Sequence, residues 1–407
     1  MSLRYIMLSF LRSLRGPRRP SFNPPEELCG LIAKELRDLD NANFREKTKE
    51  QWHSENKNLI ALSLVSKTWR DEALPVLWSE LFLDAGAASA VVGDHVDHGP
   101  IIKKYAAMLE LAKGNGSTRS FVHFAKRLSI TLDNVFWDGT ANEKLTASIK
   151  GILSLAPRLQ CLRIAPRSFQ HTSEDIIQYL PQLHFPHLTT LYVDDRKHND
   201  SSEEALEIFL RNHTTLENLT LRLAENSIID LAYVQDIVEW PNLERFEGLL
   251  SHALALSQNP ILKLKDLYIL ATELGDARPA MDAKNLRAIA QRFPALETLN
   301  GLAMSPLFVS YMDAEEKRTC LPKLRELILY ESVTDGVSVL NGVRYAELSD
   351  GEVDRTLNSL PRIFPDIFYV VVCKSAVTRR PRLLINRTKT IKLFDAPEGT
   401  ELLLTLA

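Results

Sequence analysis

One pattern limits what this chain can fold into more than any other. Leu-x-x-Leu-x-Leu, usually preceded by Pro-x, returns repeatedly between residues 125 and 373. It stands at Leu159, Leu162 and Ile164; at Leu188, Leu191 and Val193; at Leu216, Leu219 and Leu221; and at Leu243 and Phe246. Further copies are Leu264, Leu267 and Ile269; Leu296 and Leu299; Leu324, Leu327 and Leu329; and Ile367, Val370 and Val372. A degenerate first copy reads Ala125, Leu128 and Ile130. Successive copies start 34, 29, 28, 27, 21, 32, 28 and 43 residues apart. Self-similarity at such a period means stacked supersecondary units, because each unit is too small to bury its own apolar face.

Helical patterns lie between the copies. Thr172-x-x-Asp175 and Ser201-x-x-Glu204 have the spacing of capping boxes. Behind them come the apolar faces Ile176, Ile177, Leu180 and Leu206, Phe209, Leu210. Val234, Ile237, Val238, then Leu286, Ile289, Phe293, then Val353, Leu357, Leu360 repeat the arrangement. The array resembles leucine-rich repeats, which implies an α/β solenoid with parallel strands inside and helices outside. The Asn or Cys that usually follows the strand is missing; Arg167, Arg196 and Ser332 stand there. The longest intervals require insertions, around 306–319 and across 334–354.

Residues 24–83 read differently, as a small all-α module. Pro24-Pro25-Glu26-Glu27 suits a helix start. Leu28, Ile32 and Leu36 then form one face, and Leu59, Leu62, Val65 and Trp69 another. The polar run from Asp38 to Lys57 between them reads as an inserted loop. Pro25-Glu26-Glu27-Leu28, Ile32, Leu36 and Leu62-Ser63-Leu64-Val65-Ser66-Lys67-Thr68-Trp69-Arg70 resemble an F-box of the fungal type, continuing through Ala73-Leu74-Pro75-Val76-Leu77-Trp78. Pro24 departs from the Leu common there, and the 38–57 segment is longer than the usual connection. The resemblance implies docking on a Skp-family adaptor, and through it a cullin, by Pro25, Leu28, Ile32, Leu36, Leu59, Leu62 and Val65. Trp69 and Trp78 are expected to pack inside the module.

Composition narrows the function classes. Of 407 residues 45% are apolar and 25% charged, which is ordinary for globular protein. The net charge is −3, without the basic excess that counterion-driven binding to nucleic acid needs. Charge is nevertheless uneven: residues 1–25 carry five arginines, residues 374–393 carry seven basic residues, and the body over 26–373 sums to −12. This suggests a basic leader (1–23) and a basic C-terminal segment with a cap (374–407), joined to the body by a connector over 84–124. No apolar run reaches membrane length, so neither nucleic acid nor membrane is an expected partner. Leu3, Met7, Phe10, Leu11 and Leu14 form a helical stripe among arginines, the form of a mitochondrial transit peptide. The four cysteines lie far apart without a CxxC pair, which fits a reducing cytoplasm or nucleus better.

Signals for chemistry are weak. His95-x-x-His98 lies beside Asp94 and Asp97, but no third ligand follows at metal spacing. Gly114-Asn115-Gly116-Ser117-Thr118 lacks the lysine of a phosphate-binding loop. No nucleophile motif occurs, so no catalytic, metal or cofactor site is expected. Taken with the F-box resemblance, this implies the target-binding subunit of an SCF-type ubiquitin ligase; the alternative is an interaction scaffold without a ligase role. In the repeat, residues alternating with the leucines should line the concave sheet face. One row then reads Arg163, Tyr192, Thr220, Glu247, Tyr268, Asn300, Ile328, and the next Ala165, Asp194, Arg222, Leu249, Leu270, Leu302, Tyr330. Tyr192, Tyr268, Leu270, Ile328 and Tyr330 are the expected target contacts. Gly248 and Gly301 occupy inward positions, so a bulge could turn Leu249 and Leu302 into the core instead.

Overall fold

A computed structural model describes residues 29–34, 49–84, 90–92, 95–97, 99–114, 121–132, 139–166, 174–195, 200–223, 239–271, 278–304, 321–330, 339–340, 343–344, 360, 363–373, 382–386 and 391–395. A helical segment over 29–34 precedes helices α1 (Lys49–Ser63) and α2 (Lys67–Leu77). Strand β1 (Glu80–Asp84), the hairpin β2 (Ala90–Val92) and β3 (His95–Asp97), and helix α3 (Gly99–Lys113) follow. Strands then alternate with helices: β4 (Arg127–Leu132), α4 (Gly139–Ser154), β5 (Cys161–Pro166), α5 (Glu174–Ile177), β6 (Thr190–Asp195) and α6 (Asp200–Asn212). Next are β7 (Asn218–Leu223), β8 (Arg245–Gly248), α7 (Leu250–Ala255), β9 (Asp266–Ile269), α8 (Ala283–Arg292), β10 (Thr298–Ala303) and β11 (Glu326–Tyr330). A hairpin of β12 (Val339–Leu340) and β13 (Val343–Arg344) comes before β14 (Tyr369–Cys373), β15 (Arg382–Asn386) and β16 (Ile391–Asp395).

Twelve strands make one sheet in the order β1-β4-β5-β6-β7-β8-β9-β10-β11-β14-β15-β16. The first ten run parallel and the last two antiparallel, so the chain is an α/β solenoid built on a parallel sheet. The register lines up the second leucines of the repeat: Leu128, Leu162, Leu191, Leu219, Phe246, Leu267, Leu299, Leu327 and Val370 are successive partners, and Leu81 of β1 extends the row. None is more than 4% exposed. Each such side chain withdrawn from water contributes about 1.5–3 kcal/mol, which makes this row and the helix faces over it the main cohesive layer. Ile176, Leu206, Phe209, Leu286, Ile289 and Phe293 all join the same core.

The starts of the strands are joined by a backbone ladder. One carbonyl per unit accepts two N–H groups of the next. Ser79 accepts from Lys126 and Arg127, Lys126 from Gln160 and Cys161, and Gln160 from Thr189 and Thr190. The series continues through Thr189, Glu217, Glu244, Lys265, Glu297 and Arg325, the last accepting from Phe368 and Tyr369. This satisfies backbone polar groups at these unit boundaries, and side-chain pairs such as Arg127–Glu80 and Lys265–Glu244 run beside it. Arg167, Arg196 and Ser332, at the missing ladder position, lie outside the described residues.

Two glycines are required by close approach. Gly301 has φ +106°, and a Cβ there would meet the Ile269 carbonyl oxygen at 1.8 Å. It forms a bulge: Asn300 pairs with Ile328, but Leu302, not Gly301, pairs with Leu329. At Gly248 a Cβ would come to 2.8 Å from the Leu221 carbonyl oxygen. The bulge turns Leu302 into the core, fully buried, and Leu249 is 7% exposed. The expected second row is corrected accordingly, with Ala303 standing beside Tyr330 in place of Leu302.

Several boundaries differ from expectation. The array begins at β1, because Leu81 and Leu83 alternate inward although no Leu-x-x precedes them. The expected connector supplies α3, whose Tyr105 and Ala112 enter the main core. Helix α1 starts at Lys49, so the expected loop over 38–57 is partly helix; Lys, Glu and Gln there are good helix formers despite their polarity. Helix α6 takes in Ser201 rather than beginning after it. Helix α8 is capped by Asp282, whose Oδ1 accepts from the Asn285 N–H at 2.8 Å. The helix expected at Val234–Val238 and the capping Thr172 lie outside the described residues.

Candidate functional site: a helical module and an open sheet face

The helical module has a core of its own: Cys29, Ala33, Leu59, Leu62, Trp69, Ala73 and Leu77. The run from Leu62 to Arg70 builds the corner between α1 and α2. Ser66 is the N-cap of α2, its Oγ accepting from the Trp69 N–H at 3.4 Å. Arg70 Nε donates to the Ser63 carbonyl at 3.3 Å, tying the second helix back to the first. Trp69 is buried in this small core. Trp78 packs against both this core and the solenoid's, its ring 5.0 Å from that of Phe121, and so joins the module to the array.

Of the expected adaptor contacts, Leu59 and Leu62 are buried and hold the module together, which removes them from its surface. Ile32 is half-buried against the core, and Val65 is exposed at 42%. Pro25, Leu28 and Leu36 lie outside the described residues. Two exposed leucines were missed by the helical stripes: Leu31, beside Ile32, and Leu64, at 73% exposure. Their signal was position, one step off each apolar stripe. A groove of about 430 Å³ lies between the 29–34 segment and α2, lined by Gly30, Leu31, Lys34, Glu72, Pro75 and Val76.

The second surface is the sheet face opposite the helices. The register brings Arg163, Tyr192, Thr220, Glu247, Tyr268, Asn300 and Ile328 into one row. A parallel row at the strand starts reads Glu80, Arg127, Cys161, Thr190, Asn218, Arg245, Asp266, Thr298, Glu326, Tyr369. Tyr192, Tyr268, Leu270 and Tyr330 are half-buried on this face. Ile328 is corrected: at 5% exposure it packs into the face, a compact branched side chain flanked by row neighbours on both sides. The C-terminal segment extends the sheet, Ile385 pairing with Tyr369 and Leu384 with Val370, so β15 continues it beyond β14.

Charges on the face are organised around arginines. Arg222 donates to Glu247 Oε1 from Nη2 at 2.6 Å and lies 3.9 Å from Asp194. Arg163 and Arg222 stand over the Tyr192 ring at 4.3 and 5.4 Å, and the Tyr192 hydroxyl donates to Asp194 at 3.2 Å. Burial pushes the Tyr192 phenol up to about 12, against the pull of Arg222. Arg245 reaches Glu247 at 3.7 Å and the Tyr268 ring at 4.4 Å. Arg278 covers the Tyr330 ring at 3.6 Å while donating to the Ile269 carbonyl beside the bulge. These pairs are partly exposed and contribute little to stability singly; together they hold large side chains in fixed positions.

Other polar groups serve structure. Cys161 is buried and its thiol is pushed up to about 11 by that burial, which keeps it protonated and unreactive. The rings of His184 and His213 lie 5.6 Å apart, tilted by 38°. His213 Nδ1 donates to the Phe209 carbonyl at 2.8 Å, and its Nε2 accepts from the Phe185 N–H at 3.0 Å. The side chains of His95 and Asp97, and residue His98, lie outside the described residues. Among the described residues no group of three His, Cys, Asp or Glu is placed to hold a metal, and no helix is long and apolar enough to cross a membrane.

No family model matches the chain, and no curated protein matches it. Among solved structures it is similar to a chain in the crystal structure of the Rad7 and Elc1 complex in yeast, at 13% identity and a TM-score of 0.33. That match covers 81% of this chain and 67% of the other, a likeness too loose to assign a partner or an activity.

Proposed function

We propose that the chain is a target-binding subunit of an SCF-type ubiquitin ligase. The helical module docks on a Skp-family adaptor, and the open face of the solenoid binds the protein to be modified. The observation that carries this reading is the module itself. Its motif residues Ser63, Ser66, Trp69 and Arg70 build one helical corner over a separate small core, and Leu31, Leu64 and Val65 remain exposed beside it. So small a unit with apolar residues left outside is suited to a partner. The chain contributes no bond chemistry. It holds a target lysine near a ubiquitin thioester and raises their effective concentration. Reducing compartments, cytoplasm or nucleus, are where it acts.

The test is affinity purification of the tagged chain under proteasome inhibition, with and without residues 24–83. The intact chain is expected to recover adaptor, cullin and ubiquitin-bearing target, and the truncated chain only the target. The departures at Pro24 and over 38–57 favour a second reading, an interaction scaffold. Adaptor or target recovered without cullin is its expected signature.

A further inference from the structure

Arg278 is held unlike its neighbours on the open face. Arg127 meets Glu80 at 3.2 Å, Arg222 meets Glu247 at 2.6 Å, and Arg245 reaches the same Glu247 at 3.7 Å. Arg278 instead donates from Nη1 to two backbone carbonyls, Ile269 at 2.9 Å and Gly301 at 3.5 Å. Its guanidinium lies 3.6 Å from the centre of the Tyr330 ring. Among the described residues no carboxylate reaches it. The bulge explains the placement. Pairing of β10 with β9 stops at Asn300, and residues 279–281 run alongside the end of β10. The Ala303 N–H donates to the Pro279 carbonyl at 2.9 Å, and the Met281 N–H to the Ala303 carbonyl at 2.7 Å. Met281 enters the core, whereas Arg278 lies on the face over Tyr330.

Capping two carbonyls needs only a neutral donor, and the two N–H groups of Nη1 suffice for it. The guanidinium brings a full charge besides, and its Nε and Nη2 edge is left for another group. Arg278 is only partly buried, as are Leu270, which follows Ile269, and the adjoining Pro279. We propose that this edge of Arg278 takes an aspartate or glutamate side chain of the bound target, whose apolar stem lies beside Leu270. A planar carboxylate matches the edge with parallel charge-assisted hydrogen bonds. One guanidinium balances one negative charge, and residues 26–373 sum to −12, so a phosphate group near two negative charges is the poorer occupant. The sheet continues on both sides of Arg278, through β9 and β11, so a segment crossing the face presents a side chain there and not a chain end. The inference rests on the receptor reading for the purpose of the face, and adds what the face selects.

The test pans a phage-displayed random dodecapeptide library on the full chain, then repeats the binding measurements with Arg278→Gln. Glutamine keeps a donor for a carbonyl and removes the charge, and a melting temperature on the same sample checks the fold. Selected peptides are expected to be enriched in Asp or Glu, the reverse of what attraction to an acidic body would select, and to bind Arg278→Gln at least tenfold more weakly. Replacing the enriched acid by its amide in the synthetic peptide should give the same loss on the unaltered protein, whatever the variant's fold, and no further loss on Arg278→Gln. Peptides without acidic enrichment, no selected peptides at all, or acidic peptides that bind Arg278→Gln equally well would each overturn the inference. So would a phosphoserine peptide that binds tenfold more tightly than its glutamate counterpart. Glu273 and Asp276 lie outside the described residues. Glu273→Gln/Asp276→Asn should leave peptide affinity unchanged; a tenfold gain would assign Arg278 to the chain's own loop and overturn the inference. Adaptor binding is read on the same preparations. Its loss with the peptide preference intact refutes the receptor reading alone.

Discussion

His213 shows how one side chain ties neighbouring units together. Its neutral ring donates through Nδ1 to Phe209 and accepts through Nε2 from the Phe185 N–H, which fixes a single tautomer. Its pKa is lowered, by burial first, with the Phe209 hydrogen bond opposing and His184 adding. Below about pH 6.5 the unfolded chain takes up this proton while the folded one resists. Stability is therefore unaffected above that pH and is lost as pH falls from there through the folded-state value. Melting temperatures at pH 7.5 and 5.5 should show a fall that shrinks in His213→Asn; an equal fall in both proteins would remove His213 as its source. Gly301 makes a backbone prediction. Gly301→Ala must push the Ile269 carbonyl aside and is expected to cost about 2–4 kcal/mol. Gly114, at φ +71° after α3, stands in the left-handed region, and Gly114→Ala should cost about 1 kcal/mol. Denaturation midpoints of the two variants check the ordering.

At the scale of elements, the strands were readable because Leu-x-x-Leu-x-Leu alternates leucines onto one face. Leu162, Leu191, Leu219 and Leu267 fall in one buried row as that period requires. The row containing Arg163, Tyr192 and Tyr268 followed from the same alternation. Legibility ended where the period breaks. The bulge at Gly301 moves Leu302 across the sheet; the inward glycine marked that alternative in the sequence, but the close approach of the Ile269 carbonyl that requires the glycine comes from the neighbouring strand. Strand β1 was hidden because Leu81 and Leu83 lack the preceding Pro-x-Leu. In the module, periodicity identified apolar faces but not which of them is covered. Leu59 and Leu62 went to the core, whereas Leu64 and Val65 stayed outside. The two kinds of position should separate under mutation. Val65→Asp places a carboxylate on an exposed site and should leave the melting temperature nearly unchanged. Leu62→Asp buries an unpaired charge and should unfold the module, at several kcal/mol. Helical content by circular dichroism distinguishes them; equal loss of helix in both variants would show that Val65 is covered after all.

The whole molecule couples two cores of different size. The solenoid stacks unit on unit through one continuous core, while the module rests, among the described residues, on seven buried side chains and meets the array through Trp78. In repeat architectures each unit depends mainly on its neighbours, so damage at one end need not reach the other. That separation suits a receptor, whose docking end can be anchored while its face selects a target. The receptor function depends first on whether the module binds an adaptor at all. Size-exclusion chromatography with light scattering, on the purified chain mixed with a Skp-family adaptor, measures this. The intact chain should form an equimolar complex, and Val65→Asp should weaken it by about 2 kcal/mol, roughly thirtyfold. An intact, folded chain that elutes apart from the adaptor would contradict the account.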